Sequence, residues 1–408
     1  MKVCIVCDYL PEYHDTWGGG EKASISIARL LASKGEAVSV VTKKPNKPVK
    51  ELFKHYSLRT TEDFLGSKAG LYFSRFKSIW VPFDLITYFS ALKLFRRIKP
   101  DIISLGNFRE LSLSVVLAAH KLNIPVVYSV YDYWLFCPKI DLVDNNGSCS
   151  ANCNKCISGE RFGSFKRLLV PLRNFIFNRI SFDRVIALSD NSRQLIARHG
   201  VNKNKLRVVP LPFGDLKTDL KSRVDPNLIL FMGWVHHRKG LKILVQAMNL
   251  LAKSNPKARL VALGMPADKS YETAVRSIMG GNVELVIGRK PLDEVKKLVA
   301  RAGIIVIPEQ WANMSPVLLI ESMFNAKPII ASRVGGIPSF IKHGESGLLA
   351  CHDKPDDFAR QIKLLLDSPS LAKRFGLKAR EQALDKFNKN KVYFKLMSVY
   401  GGLLKQKA

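Results

Sequence analysis

Three short segments of this 408-residue chain combine glycine, positive charge and helix-start residues in ways that suit phosphate chemistry. The first is Gly18-Gly19-Gly20-Glu21. Glycines before a helix let backbone N–H groups approach a ligand, and a helix N-terminus favours an anion. A flexible turn would use the same residues. Glu21 and Lys22 stand where a dinucleotide G-x-G-x-x-G pattern would continue, so that fingerprint is absent. The second segment runs from Gly233 through Trp234, Arg238 and Lys239 to Gly240. A lysine after a strand and glycine turn can reach a diphosphate over the C-terminal edge of a sheet, and Arg238 is a second candidate. The plainer reading is a solvated basic loop. The third segment runs from Asn313 to Glu321. Ser315 is expected as the N-cap and Pro316 as the first helical residue, leaving free N–H groups for a phosphate. Glu321, between apolar stretches, could accept both hydroxyls of a ribose. A glycine pair, Gly335-Gly336, then follows a strand pattern.

Alternating elements must position these residues. Lys2 to Asp8 reads as a buried strand. A helix follows, with Ala23, Ile27, Leu30 and Leu31 on one face and Gly35 at its end, and then a strand over Ala37 to Thr42. This opens a doubly wound parallel sheet. Further strands are expected at Asp101 to Leu105, Pro125 to Val130 and Val185 to Leu188. The pattern restarts with a strand at Leu228 to Met232, a helix at Lys242 to Ala252, and strands at Arg259 to Leu263 and Val283 to Ile287. It continues with a helix at Asp293 to Ala302, a strand at Ile304 to Ile307, a helix at Pro316 to Asn325 and a strand at Pro328 to Ala331. The expectation is α/β: two Rossmann-like doubly wound domains facing a cleft. Their expected bounds are 1–209 and 227–384, with a linker at 210–226 and a C-terminal helix, 385–408, packing back on the first domain.

Lys+Arg number 64 against 34 Asp+Glu, a net charge of +30. Such an excess attracts polyanions: nucleic acid, anionic headgroups or phosphorylated substrates. No apolar run approaches the ~18–20 residues that span a bilayer, and Asp8 ends the first apolar run too soon for a signal peptide. The expectation is a cytoplasmic chain. Two segments are basic and aromatic, Leu71 to Lys99 and Arg161 to Arg184. They suit an anionic membrane surface, or else bury their aromatics and solvate their charges. No C2H2 finger, RNA-recognition signature or disordered basic tail is present, so nucleic acid is not expected as a partner.

Four of the seven cysteines, Cys137, Cys149, Cys153 and Cys156, lie within twenty residues. The spacing allows a tetrahedral structural zinc, paired or free thiols, or an iron–sulfur cluster. Cys4, Cys7 and Cys351 read as core or incidental thiols.

Taken together, the Gly18 to Glu21 loop, the Gly233, Lys239 and Gly240 turn, the block from Pro316 through Glu321 to Lys327-Pro328, Gly335-Gly336-Ile337-Pro338, and Gly344 to Leu349 resemble glycosyltransferase family 4 on a GT-B fold. The resemblance covers nearly the whole chain. It implies retaining transfer of a sugar from a nucleotide-sugar, bound mainly by the second domain, to a lipid-linked or saccharide acceptor on the first. It implies that Lys239 holds the donor diphosphate and Glu321 the ribose. Gly19, Gly233, Arg238, Asn313, Ser315, Gly335 and Gly336 complete the donor side, with Gly18 and Glu21 on the acceptor side. Tyr131, Asp132 and Lys239 take the catalytic positions. No cofactor is required for the chemistry. A subset of the family has a similar cysteine loop after its Asp-Tyr-Trp segment, which here is Asp132-Tyr133-Trp134. The chain departs from the pattern at four positions. Trp234 stands for an arginine, Ala312 or Asn313 for the first glutamate of a Glu-x7-Glu pair, Tyr131 for a histidine and Ser339 for an acid. Alternatives are a binding or regulatory relative with weak catalysis, and a nucleotide-sugar epimerase-like enzyme.

Overall fold

The computed structural model describes the chain except residues 16–17, 49–52, 66, 80–82, 138–141, 143–170, 173–174, 178–179, 214–222 and 406–408. The chain forms two compact units, Met1–Pro212 with Lys389–Ala408, and Phe213–Asn388.

The first unit holds a seven-stranded sheet in the order β3-β2-β1-β4-β5-β6-β7. The strands are β1 (Lys2–Val6), β2 (Ala37–Thr42), β3 (Lys54–Ser57), β4 (Ile102–Leu105), β5 (Val126–Ser129), β6 (Arg184–Ala187) and β7 (Leu206–Val208). All neighbours pair in parallel, with Val3 opposite Val38 and Ile102. β1, β4 and β5 are buried almost throughout, as strands covered on both faces must be. Helix α1 (Gly19–Ser33) buries Ile27, Leu30 and Leu31 and ends at Gly35, whose φ of +84° suits glycine. β3 and β7 are short, and their part-exposed sequences lack the apolar run that marks the inner strands.

Helices α2 (Ser67–Ile79) and α3 (Leu85–Ile98) follow β3, and α4 (Ser114–Lys121) follows β4. Asp84 caps α3, accepting from Ile86 N and Thr87 N. It also accepts from Thr61 N at 3.0 Å and pairs with the buried ammonium of Lys77 at 3.0 Å. That carboxylate therefore ties α2, α3 and the preceding turn together. Helix α5 (Asp190–Arg198) follows β6.

The second unit holds a six-stranded parallel sheet in the order β10-β9-β8-β11-β12-β13. Its strands are β8 (Asp225–Val235), β9 (Arg259–Pro266), β10 (Val283–Ile287), β11 (Ala302–Ile307), β12 (Ile329–Ser332) and β13 (Leu348–Ala350). Side-chain alternation builds a core on each face. Ile229, Phe231, Leu260, Ile304, Val306 and Ile330 pack on one face with α6 (Leu241–Leu251) and α10 (Pro355–Asp367). Leu228, Leu230, Val261, Ile305, Ile307 and Ile329 pack on the other with α9 (Val317–Phe324) and α11 (Pro369–Lys386). Helices α7 (Lys269–Arg276) and α8 (Leu292–Arg301) complete the unit.

In place of the helix expected over 385–408, one helix ends at Lys386 and the next begins at Lys389. The last, α12 (Lys389–Lys405), belongs to the first unit. Its Val392, Leu396, Val399 and Tyr400 join the core of β1 and α1, and Tyr400 Oη donates to Ser104 Oγ at 2.9 Å.

Candidate functional site

In the second sheet β8 lies between β9 and β11, so the chain's direction of winding reverses between β8 and β11. Ligands of open α/β sheets bind beyond the carboxyl ends of strands at such a point. Three loops converge there. The first follows β8. That strand continues through Val235, so Gly233 and Trp234 are paired strand residues opposite Gly264 and Met265. The turn expected at Gly233 therefore begins three residues beyond it, at His236. It ends at Gly240, whose φ is +69°. A Cβ on Gly240 would lie 1.8 Å from the Pro308 carbonyl oxygen, so only glycine lets this turn close on the second loop. Gln310 N donates to Arg238 O at 2.7 Å across the same junction.

The second loop runs from Pro308 to Pro316. Glu309, 4% exposed, is its centre. Its Oε1 accepts from Lys239 Nζ at 2.7 Å and from Asn313 Nδ2 at 3.1 Å, and its Oε2 from Trp311 Nε1. Asn313 Oδ1 then accepts from Ser315 N at 3.2 Å. One polar network thus runs from Lys239 to the start of α9. Lys239 and Arg238 both lie over the Trp311 ring, at 5.8 and 6.0 Å from its centroid. The Lys239 stem passes within ordinary contact distance of where a Gly233 Cβ would be.

Ser315 is not the helix cap. Pro316, with extended φ and ψ of −61° and 120°, occupies that place and Val317 begins the helix. The Asn313 bond to Ser315 N holds Ser315 one residue outside the helix. Its hydroxyl is buried without a hydrogen-bond partner among the described residues. A buried hydroxyl that no protein group satisfies, beside first-turn N–H groups that a helix cannot pair internally, fits an anionic oxygen. Glu321 is half-buried on the second turn of α9.

The third loop follows β12. Gly335 has φ of +54°, and a Cβ there would strike the Ala312 and Asn313 backbone at 2.4 Å. Gly336 N donates to Asn313 O at 2.7 Å. That N–H thus supports the second loop. The structure therefore brings together Lys239, Arg238, Asn313, Ser315, Gly335 and Gly336. It adds Glu309 and Trp311, which sequence reasoning missed. A signal existed: Glu309 is a carboxylate two residues beyond β11, beside the strand that carries the glycine turn.

In the first unit the winding reverses between β1 and β4, and α1 starts there. A Cβ on Gly20 would lie 2.5 Å from Asn107 Nδ2 and 3.0 Å from Tyr131 Cβ, so α1 starts tightly against these residues. Gly18 is the N-cap and Gly19 the exposed first helical residue. Glu21 is buried. Its Oε2 accepts from Gly18 N at 2.7 Å and its Oε1 from Asn107 Nδ2 at 3.0 Å. Its carboxylate caps α1 and anchors the β4 loop. Burial pushes the Tyr131 phenol up, so it is a neutral donor. Asp132 Oδ1 accepts from Trp134 N at 2.9 Å, a local turn.

Beside these lies a polar group that the sequence reading did not single out. Asp8 accepts from Glu110 N and Leu111 N, and Glu110 Oε2 accepts from Lys43 Nζ at 2.6 Å and Tyr9 Oη at 2.6 Å. Burial, with the Glu110 charge beside it, pushes the Asp8 carboxyl up to about 7. The network joins the ends of β1, β2 and β4. Of the cysteine cluster, Cys137 is buried, and Cys149, Cys153 and Cys156 lie outside the described residues. Cys351, expected as a core or incidental thiol, is exposed, while Cys4 and Cys7 are buried.

The two halves match two family models, Glycosyltransferase Family 4 over residues 17–213 and Glycosyl transferases group 1 over residues 213–382. An uncharacterized glycosyltransferase of Methanocaldococcus jannaschii is 29% identical over 235 residues, 56% of this chain and 64% of that one. A D-inositol 3-phosphate glycosyltransferase of Nocardiopsis dassonvillei is 23% identical over 393 residues, 90% of this chain and 85% of that one. The chain thus spans a little under two thirds of the first relative and most of the second. Among solved structures, sucrose-phosphate synthase from Thermosynechococcus elongatus superposes with a TM-score of 0.71 at 18% identity, over 99% of each chain. Anabaena HepE in complex with UDP and glucose gives 0.69 at 15% identity, over 98% of this chain and 99% of that one. A two-domain α/β architecture, here built on two doubly wound sheets, is the fold shared with these solved structures. The chain belongs to the glycosyltransferases, a Family 4 half joined to a group 1 half in the GT-B arrangement.

Proposed function

We propose that this chain is a retaining glycosyltransferase that moves a sugar from a nucleotide-sugar to a lipid-linked or saccharide acceptor in surface glycan synthesis. The observation that carries the reading is the Lys239 to Ser315 network at the reversal point of the second sheet. An ammonium, a buried unsatisfied hydroxyl and a helix start are what a departing nucleoside diphosphate requires. Lys239 and the α9 N-terminus stabilise charge on the leaving oxygens, and Glu321 binds the ribose hydroxyls. The acceptor hydroxyl, held by the first unit, attacks on the face the diphosphate leaves. The C–O bond to the diphosphate breaks as the new glycosidic bond forms, and the diphosphate takes up the acceptor's proton. The chemistry requires no metal. A zinc on the cysteine loop would be structural, and metal analysis of the purified chain tests it.

HepE, whose fold this chain shares, is described in complex with UDP and UDP-glucose, which makes uridine nucleotides the first donors to try. A thermal-shift screen against nucleotide-sugars tests the donor site, because a ligand of the folded state raises the melting temperature by mass action. Labelled transfer with the donor that binds then tests catalysis. A second reading, a relative that binds the donor without turning it over, draws on Asn313, where the family pattern has a carboxylate. Donor binding without transfer or donor hydrolysis would favour it.

The proposed location is the cytoplasmic face of an anionic membrane. Support comes from α3, where Leu85 and Phe89 are 60% and 61% exposed. Lys93 and Arg96 continue their face at helical spacing. Exposed Phe83, Tyr72 and Phe76 lie on or near the same pair of helices. An apolar stripe continued by cations suits anionic headgroups. No described helix is long and apolar enough to cross a membrane.

A further inference from the structure

The donor site contains one charge that the proposed chemistry does not ask for. Glu309 places a buried carboxylate against Lys239, the residue assigned to an anionic ligand. The carboxylate is locked. Three donors from Lys239, Trp311 and Asn313 engage both of its oxygens, and its side chain is 5% exposed. Lys239 is the partner with freedom, its side chain 25% exposed. An ammonium has three N–H donors, and Glu309 uses one. The others can serve a ligand while the flexible stem stays fixed in place.

We infer that Glu309 is a positioning residue that holds Lys239 in place for the diphosphate of the donor, at the expense of ground-state affinity. The inference rests on the donor-site reading above. Two electrostatic effects oppose each other. The carboxylate repels a nucleoside diphosphate, so it weakens binding of donor and product. It also immobilises the ammonium before charge develops on the leaving oxygens, so it favours the transition state over the bound ground state. It stands in the same loop as Asn313, where the family pattern has its carboxylate, four residues earlier in the chain. This chain therefore keeps a negative group in the loop, directed at lysine.

A residue that only supports the loop and a residue that positions Lys239 differ in what their loss does. Loss of loop support weakens binding and turnover together. Glu309→Gln keeps the shape and one acceptor oxygen but removes the charge. Its expected signature is split: UDP or another nucleoside diphosphate binds at least threefold tighter, the gain shrinking as salt rises, while kcat falls at least tenfold. Turnover is read as transfer or as donor hydrolysis, and titration calorimetry with UDP, GDP and ADP reads affinity on the full chain. Glu309→Asp keeps the charge but withdraws it by one methylene. It should leave diphosphate affinity near wild type and still lower kcat, and it serves as the test if the Gln variant melts early. Affinity and kcat both unchanged, or both reduced in parallel, would overturn the inference. A wild-type chain that binds no nucleoside diphosphate would overturn the donor-site reading itself. Binding by wild type with no split in either variant would overturn this inference alone.

Discussion

Lys239 Nζ lies 2.7 Å from Glu309 Oε1, although the two residues are 70 apart in the chain. They meet because β8 and β11 are neighbours in the sheet and each ends in a loop at the same edge. Around this pair the proposed donor site is assembled.

Lys239→Ala should therefore remove the only lysine in the turn after β8. Turnover should drop by about 10²–10³, the range for losing one group that stabilises developing charge. Steady-state kinetics with the donor found by the thermal-shift screen checks this, and a loss under threefold would move the diphosphate elsewhere.

Glu321 can be tested through the sugar of the nucleotide. The wild type should prefer UDP to its 2′-deoxy analogue by about 1–3 kcal/mol, the cost of leaving a buried polar group unpaired. Glu321→Ala should bind both equally. Equal discrimination by variant and wild type would take the ribose away from Glu321.

Gly240→Ala is a backbone test. The new methyl would point at the Pro308 carbonyl from a left-handed conformation. The turn must open, carrying Lys239 away from Glu309. Donor-induced stabilisation should vanish, and the melting temperature without ligand should fall. An undisturbed donor shift would show that the closeness of the two loops is dispensable.

In the first unit, pH should act through Asp84. Burial raises its carboxyl, but the Thr61 N–H and the Lys77 ammonium outweigh that and hold it down at about 2. A carboxylate depressed in the fold stabilises it above the unfolded value of about 3.9. That stabilisation is lost as pH falls toward 2, and amounts to about 2 kcal/mol. Asp84→Asn should lower stability at neutral pH and flatten the stability profile between pH 4 and pH 2. Denaturant melts across that range read both effects. A variant whose profile stays as steep as wild type would assign the acid sensitivity to other groups.

The α3 stripe gives a surface test. Leu85→Ser with Phe89→Ser should lower partitioning onto phosphatidylglycerol vesicles by about tenfold or more, since two exposed apolar side chains contribute about 1.5–3 kcal/mol each when fully buried. Soluble donor binding should not change. Equal sedimentation of both proteins with the vesicles would remove α3 from the membrane reading.

Much of the second half could be read directly. Strand β10 falls at Val283–Ile287 as the spacing predicts, and β9, β11 and β12 differ only at their ends. Apolar runs of five or six residues between glycine and proline have few alternatives in a covered parallel sheet. Edge strands β3 and β7 were illegible because they are half-exposed and short. Gly233 was placed in a turn because glycine marks turns more often than strands. Its pairing with Gly264 depends on β9, which local sequence cannot report.

What the sequence by itself determined is the two-sheet plan, the glycine turns, the lysine and the helix start, because periodicity, turn chemistry and charge are local properties of a chain. What only the tertiary structure decided is how those groups are used. Glu21 was expected on the acceptor side, and its carboxylate proves to cap its own helix through Gly18 and Asn107. The Gly336 N–H supports the Asn313 loop. Glu309 is an unremarkable acid in the chain and the anchor of Lys239 in the fold. A hydrogen bond depends on distances of a few ångströms between loops that strand order alone brings together. The residue types state what could bond, and the order of strands in the sheet selects what does.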